Sequence, residues 1–136
     1  FKYVDLETIY KESDFISVHT VLSEETRHLI STNEFSMMKN NAVIVNAARG
    51  PIIDSEALYK ALSEQKIAAA GLDVTDPEPI PVDDPLLTLE NCVIVPHIAS
   101  ASVKTRREMS MISAENLIRG IKGERLLTPV NPEVYD

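Results

Sequence analysis

Cysteine is almost absent from the 136-residue chain, which holds only Cys92. One thiol makes no internal disulfide, and with three histidines it leaves no zinc-ligand spacing, so no metal is expected. That thiol usage fits a reducing compartment, and a cytoplasmic protein is the expectation. Glycine is scarce as well. Gly50, Gly71, Gly120 and Gly123 are the full set, and none stands in a G-x-G-x-x-G phosphate loop. No apolar run approaches the roughly 18–20 residues of a membrane span. No signal-peptide pattern opens the chain, so no membrane partner is expected. Positive charge is in deficit, with Lys+Arg 13 against Asp+Glu 21, a net charge of -8. An acidic chain lacks the basic face that nucleic acid requires.

What is present suits a folded domain. Apolar residues make up 44% of the chain, rich in Leu, Ile and Val, which argues against disorder. The charge is uneven. Residues 1–103 hold 7 basic and 16 acidic side chains, whereas residues 104–125 hold 6 basic and 3 acidic. With Met109, Ile112, Leu117, Ile118 and Ile121 interleaved, that basic stretch reads as an amphipathic helix with a solvated outer face. The chain starts at Phe1 rather than Met, inside an ordinary-looking pattern, as a piece of a longer protein would.

Along the chain, strands and helices alternate. Residues 6–13 read as a short helix and Phe15 to His19 as a buried strand. Ser23 reads as the N-cap of a helical turn, and a helix is expected over 33–39. The run Ala42-Val43-Ile44-Val45-Asn46 has no polar alternation, which predicts a parallel strand covered on both faces. Asp54 is placed to cap a helix whose Ala57, Leu58, Ala61 and Leu62 share one face. Residues 67–74 form another strand, ending at Asp73. Pro77, Pro79, Pro81 and Pro85 predict a loop without regular structure. Val93-Ile94-Val95 makes the last strand, and Ser102 caps a long helix running to Gly120 or Gly123. This order predicts an α/β fold built on a parallel sheet.

Ligands of such sheets bind beyond the carboxyl ends of the strands. There the sequence sets His19-Thr20, then Asn46-Ala47-Ala48-Arg49-Gly50, then Asp73 with Glu78 behind it, and lastly His97. Any one of them alone reads as an ordinary loop residue. Together they predict a shared site. A carboxylate against a histidine fixes its tautomer and favours the imidazolium, the form that donates a proton. An arginine offers a bidentate fork to a substrate carboxylate and polarises a nearby carbonyl. Asp73 can accept from a ligand amide. Arg, Glu and His around a 2-oxo acid suit carbonyl reduction by hydride transfer.

The runs NAARGPIIDSEALYKAL, AAAGLDVTDPEP and NCVIVPHIASAS resemble the C-terminal signature blocks of the D-isomer-specific 2-hydroxyacid dehydrogenases. GLDVTDPEPIPVDDPLLTLENCVIVPHIAS followed by TRREMSMISAENLIRGIKGE is most similar to the glyoxylate reductase/hydroxypyruvate reductase branch. The resemblance covers essentially the whole chain. It implies the second half of a doubly wound Rossmann-type domain in residues 1–101. Residues 102–136 would be a C-terminal helix and tail returning to a substrate domain upstream of Phe1. It also implies a homodimer and an NAD or NADP cofactor, with NADPH favoured by the branch, acting on a small 2-oxo or 2-hydroxy acid.

Residue by residue, Arg49 matches the substrate-binding arginine, Glu78 the carboxylate paired with the catalytic histidine, and His97 the proton donor. Asp73 matches the acid that holds the nicotinamide amide. Ala47, Ala48 and Ala99 sit where the family's backbone meets the nicotinamide, with Arg49 and His97 beside it. His19, Thr20 and Val21 match the loop on the adenosine side. The sequence departs from the family pattern at Val21, Thr75 and Ala99, where proline, an aromatic and glycine are common. The helix ending at Gln65-Lys66 lacks its usual capping glycine.

Reduction of glyoxylate or hydroxypyruvate is therefore the expected activity. D-3-phosphoglycerate or D-lactate dehydrogenation is the alternative within enzymes, and a nucleotide-sensing corepressor-like binding protein the alternative outside them. Formate oxidation is disfavoured, since those relatives carry Gln where Glu78 stands. Without a phosphate loop, the 136 residues alone are expected to be inactive. Cys92 is expected in the core, His28 on a surface helix, and Met37, Met38, Met109 and Met111 in packing.

Overall fold

Four short β-rich runs become four parallel strands, and the sequence between them folds into helices that cover one side of the sheet. The computed structural model describes residues 2–136. In it, β1 (Phe15–Val18), β2 (Val43–Asn46), β3 (Ala69–Leu72) and β4 (Cys92–Ile94) lie side by side in the order β1-β2-β3-β4, all parallel. Ile16 pairs with Ile44, Ile44 with Ala70, and Ala70 with Cys92, so all four strand ends finish along one edge. Contacts divide the chain into two units, one up to Ile98 and one of Ala99–Asp136.

The expected helices form where they have caps. In α1 (Leu6–Glu12), Asp5 accepts the Thr8 N–H. In α2 (Thr32–Met37), Glu34 accepts the Ser31 N–H at 2.9 Å. In α3 (Ser55–Ser63), Asp54 accepts the N–H groups of Glu56 and Ala57, as its position before the apolar stripe predicts. The stripe is as read: Ala57, Leu58, Ala61 and Leu62 are all buried. They join Ile16, Val18, Ile44, Ala70 and Leu72 of the sheet in one core, with Tyr10 of α1 and Phe35 of α2. At the end of α3, Gln65 takes the left-handed turn (φ 54) that glycine ordinarily occupies.

The second unit is built around α4 (Val103–Lys122). Ser102 accepts the Thr105 N–H at its start, and Gly123 closes it at φ 71. None of its twenty residues is buried, and Met109 and Met111 are exposed rather than packed.

Four local expectations are corrected. Residues 42–46 are covered on one face only: Ile44 and Asn46 are buried, but Val45 is 40% exposed, and Phe15 of β1 and Val93 of β4 are more exposed still. The helices of the first unit all share the core on the side of Ile16 and Ile44, which leaves the alternate residues uncovered. The proline-rich loop contains a 3-10 turn, Pro85–Thr88, because Asp84 caps it through the Leu86 N–H and Pro85 sits where no N–H is needed. His28 lies in a turn at φ 53, not on a helix, with its N–H on the Pro51 carbonyl. Ser23 does not cap with its side chain. Its hydroxyl goes to Glu25, and the Thr26 hydroxyl accepts the Ser23 N–H.

Candidate active site

The strand ends carry the candidate chemistry, and two of them, those of β2 and β3, are shaped by a buried polar group. β2 runs Val-Ile-Val and then stops at Asn46, which is 1% exposed. Its amide donates to the Arg49 carbonyl at 3.0 Å and its Oδ1 accepts the Ala48 N–H at 3.1 Å. One side chain thus folds Ala47-Ala48-Arg49 into a loop without leaving a buried amide group unpaired. The Arg49 guanidinium bends back to the Ala48 carbonyl at 2.7 Å and is otherwise at the surface.

At the next strand end, Asp73 is also buried and takes hold of the loop after β4. Its main-chain carbonyl accepts the His97 N–H at 3.0 Å, and its Oδ1 accepts the Ile98 N–H at 2.6 Å. Between these two bonds His97 stands at φ 52, a left-handed backbone uncommon outside glycine. The imidazole Nδ1 meets Glu78 Oε1 at 2.6 Å, so the expected pairing of Glu78 with His97 is formed. The side chains are 49% and 40% exposed. A polar contact so open to water adds at most about 1 kcal/mol to stability, so stability does not explain the placement of both groups.

Gly50 sets the spacing between these loops. A Cβ on it would lie 1.9 Å from the Thr75 carbonyl oxygen, so the main chain after Arg49 lies directly on the main chain that leads to Glu78.

The expected residues gather in two hollows rather than one. Asp73, Glu78 and His97 border an open cavity of about 490 Å³, walled by Pro79, Ile80 and Leu87. His19, Thr20, Val21, Ala47, Ala48 and Arg49 border another of about 490 Å³. In the latter, the His19 ring is held by the Ser17 hydroxyl at 2.7 Å. Ala99 is the first residue of the second unit. Cys92 is only half-buried, at the start of β4. Burial, with Asp84's charge adding to it, pushes its thiol up to about 11, which leaves it a poor nucleophile at neutral pH. Sequence reasoning passed over Asn46 as a shaping residue, although a polar residue closing an otherwise apolar strand was its signal.

Residues 1–99 match the family described as D-isomer specific 2-hydroxyacid dehydrogenase, NAD binding domain. The chain is 53% identical over 133 residues to a glyoxylate reductase of Korarchaeum cryptofilum, covering 98% of this chain and 40% of that protein. It is 50% identical over 125 residues to a glyoxylate reductase/hydroxypyruvate reductase of Mus musculus, covering 92% and 38%. Among solved structures, the TT0316 protein of Thermus thermophilus superimposes with a TM-score of 0.89 at 44% identity, covering 93% of this chain and 40% of that one. A D-lactate dehydrogenase with NAD+ from Lactobacillus jensenii gives 0.87 at 38% identity, covering 94% and 42%. The chain therefore spans about two-fifths of the length of the curated relatives it matches.

Proposed function

Because the chain belongs to the D-isomer specific 2-hydroxyacid dehydrogenases, we propose that it supplies the acid–base half of an enzyme that reduces glyoxylate and hydroxypyruvate to 2-hydroxy acids. Residues 1–101 serve as the C-terminal part of an NAD(P)-binding domain, and residues 102–136 as the helix and tail returning to a substrate domain. The observation that carries the reading is the His97–Glu78 pair, 2.6 Å apart at a strand end.

The residues present fit the nicotinamide end of a dinucleotide. Ala47 and Ala48 offer small side chains beside a hollow, and Asp73 offers a carboxylate at the next strand end for the nicotinamide amide. Ala99 supplies backbone to the same ring, while His19, Thr20 and Val21 serve the adenosine side. When bound, the reduced nicotinamide supplies the hydride. Arg49 binds the substrate carboxylate with its fork and polarises the carbonyl. With Nδ1 engaged by Glu78, His97 uses Nε2 to give its proton to the oxygen as the carbonyl carbon takes the hydride. Glu78 keeps the ring oriented, with Nε2 left free for the substrate. NADPH is the favoured cofactor on the branch resemblance, a homodimer the favoured assembly on the family resemblance, and the cytoplasm the favoured location on the scarcity of cysteine.

The test uses the protein with its native flanking sequence. Changing His97→Ala should lower turnover of glyoxylate and hydroxypyruvate by roughly 10²–10⁴-fold, the worth of a positioned general acid. Binding of NADPH should change little. Near-normal turnover in the variant overturns the assignment. The likeness to a D-lactate dehydrogenase makes pyruvate the control substrate.

A further inference from the structure

We propose that Asp73, beyond any contact with a cofactor, is a positioning residue that builds the left-handed turn on which His97 meets Glu78; the inference rests on the reading of His97 as the proton donor. Three features carry it. Among the described residues, Asp73 is one of two polar or charged residues that are buried, 7% exposed at the end of β3. It engages both sides of His97, by its main-chain carbonyl to the His97 N–H and by its carboxylate to the Ile98 N–H. His97 itself sits at φ 52, where a residue with a Cβ stays only if its surroundings hold it.

The main-chain bond to His97 continues the ladder begun by the Val95 N–H on the Leu72 carbonyl and needs no particular side chain. The bond to Ile98 does need one. It lies one residue past the point where the chain turns away from the strand direction. An acceptor at Asp73 Oδ1 fixes where Ile98 goes, and so fixes the backbone from which the His97 ring projects. The ring is half-exposed and has little packing of its own to hold it. Its 2.6 Å contact with Glu78 is therefore delivered by the backbone beneath it.

The tautomer of His97 reports that contact without substrate or cofactor. At about pH 9 a neutral imidazole in water favours the Nε2–H form, whereas a carboxylate at Nδ1 holds the Nδ1–H form. With ¹⁵N-labelled histidine in the full protein, the parent should show His97 mainly as Nδ1–H, and Glu78→Ala should abolish that preference. Asp73→Ala should lower the Nδ1–H to Nε2–H ratio by at least about threefold. It should also speed exchange of the Ile98 amide by about tenfold, the loss of one ordinary hydrogen bond. Asp73→Asn keeps an oxygen acceptor while removing the charge, and should restore both readouts.

Equal effects of Asp73→Asn and Asp73→Ala would show that Asp73 acts through charge, and overturn the proposal. No effect of Asp73→Ala on His97 would overturn it too. If Asp73→Ala does not fold, replacing Ile98 by its α-hydroxy acid removes only the N–H donor. The same loss of the Nδ1–H form is then expected, and an unchanged tautomer counts against the proposal. A failed reductase assay with His97→Ala would leave these readouts as they are, so the two failures are separable.

Discussion

Two helices of this chain solve the same problem by different means. α3 has nine residues and buries four of them, Ala57, Leu58, Ala61 and Leu62, against the sheet. α4 has twenty and buries none. Both begin at a side-chain cap, Asp54 and Ser102. Only α4 ends in a left-handed glycine and carries the close Glu115–Arg119 pair at 2.8 Å. A nine-residue helix is too short to persist in water by itself, so α3 exists because its apolar stripe is buried. A twenty-residue helix with caps and i,i+4 pairs can rely far more on its own backbone. Packing against the sheet therefore stabilises α3, whereas α4 carries its own caps and i,i+4 pairs in place of a buried stripe.

Three substitutions sharpen or break that contrast. Leu58→Ala removes a 1% exposed side chain from the core and should cost about 2–5 kcal/mol in denaturant unfolding. A loss below about 1 kcal/mol would mean that α3 does not depend on its stripe. Asp54→Ala should cost about 1 kcal/mol, the usual worth of an N-cap. Its effect should depend on pH. Burial pushes the Asp54 carboxyl up, but the Ala57 N–H, the Ser31 hydroxyl, His28 and the Glu56 N–H outweigh it and hold it below the ordinary range. A carboxyl lowered by folding adds stability above its unfolded value and loses it as pH falls through the folded one. The gap between parent and variant should thus be full at neutral pH and shrink below about pH 4. A gap that persists at lower pH would remove the carboxylate from the explanation. Leu117→Ala, on an exposed face of α4, should change the stability of the 136-residue chain by less than about 0.5 kcal/mol. A larger loss would reveal a surface that covers it.

The stripe of α3 was plain in the sequence because a helix repeat leaves a periodic trace, and Asp54 and Ser102 were plain because caps use few residue types. Arg49, Glu78 and His97 stood out as polar groups at strand ends, and family resemblance gave them roles. The bare face of the sheet was not legible. A run such as Ala42–Asn46 reads the same whether one face or both are covered, since Val45 reports what the strand suits and not what lies against it. The grips of Asn46 and Asp73 were hidden for another reason. They act on backbone groups of other residues, Arg49 and Ala48 in one case and Ile98 in the other, and backbone groups have no letter in a sequence. The turn at His28 was misread because Ser23 resembles a cap, while the hydroxyl that closes the turn belongs to Thr26.

The contact at Gly50 has a consequence for how such a site could be altered. The loop of Arg49 and the loop leading to Glu78 touch main chain to main chain, with no side chain as a spacer. Most clefts can be widened by trimming a residue or narrowed by enlarging one. Here glycine leaves nothing to trim, and even a methyl group in its place forces the loops apart. The separation of the two loops at this point is fixed by backbone thickness, and a change of scale would have to come from inserting or deleting residues in one of them.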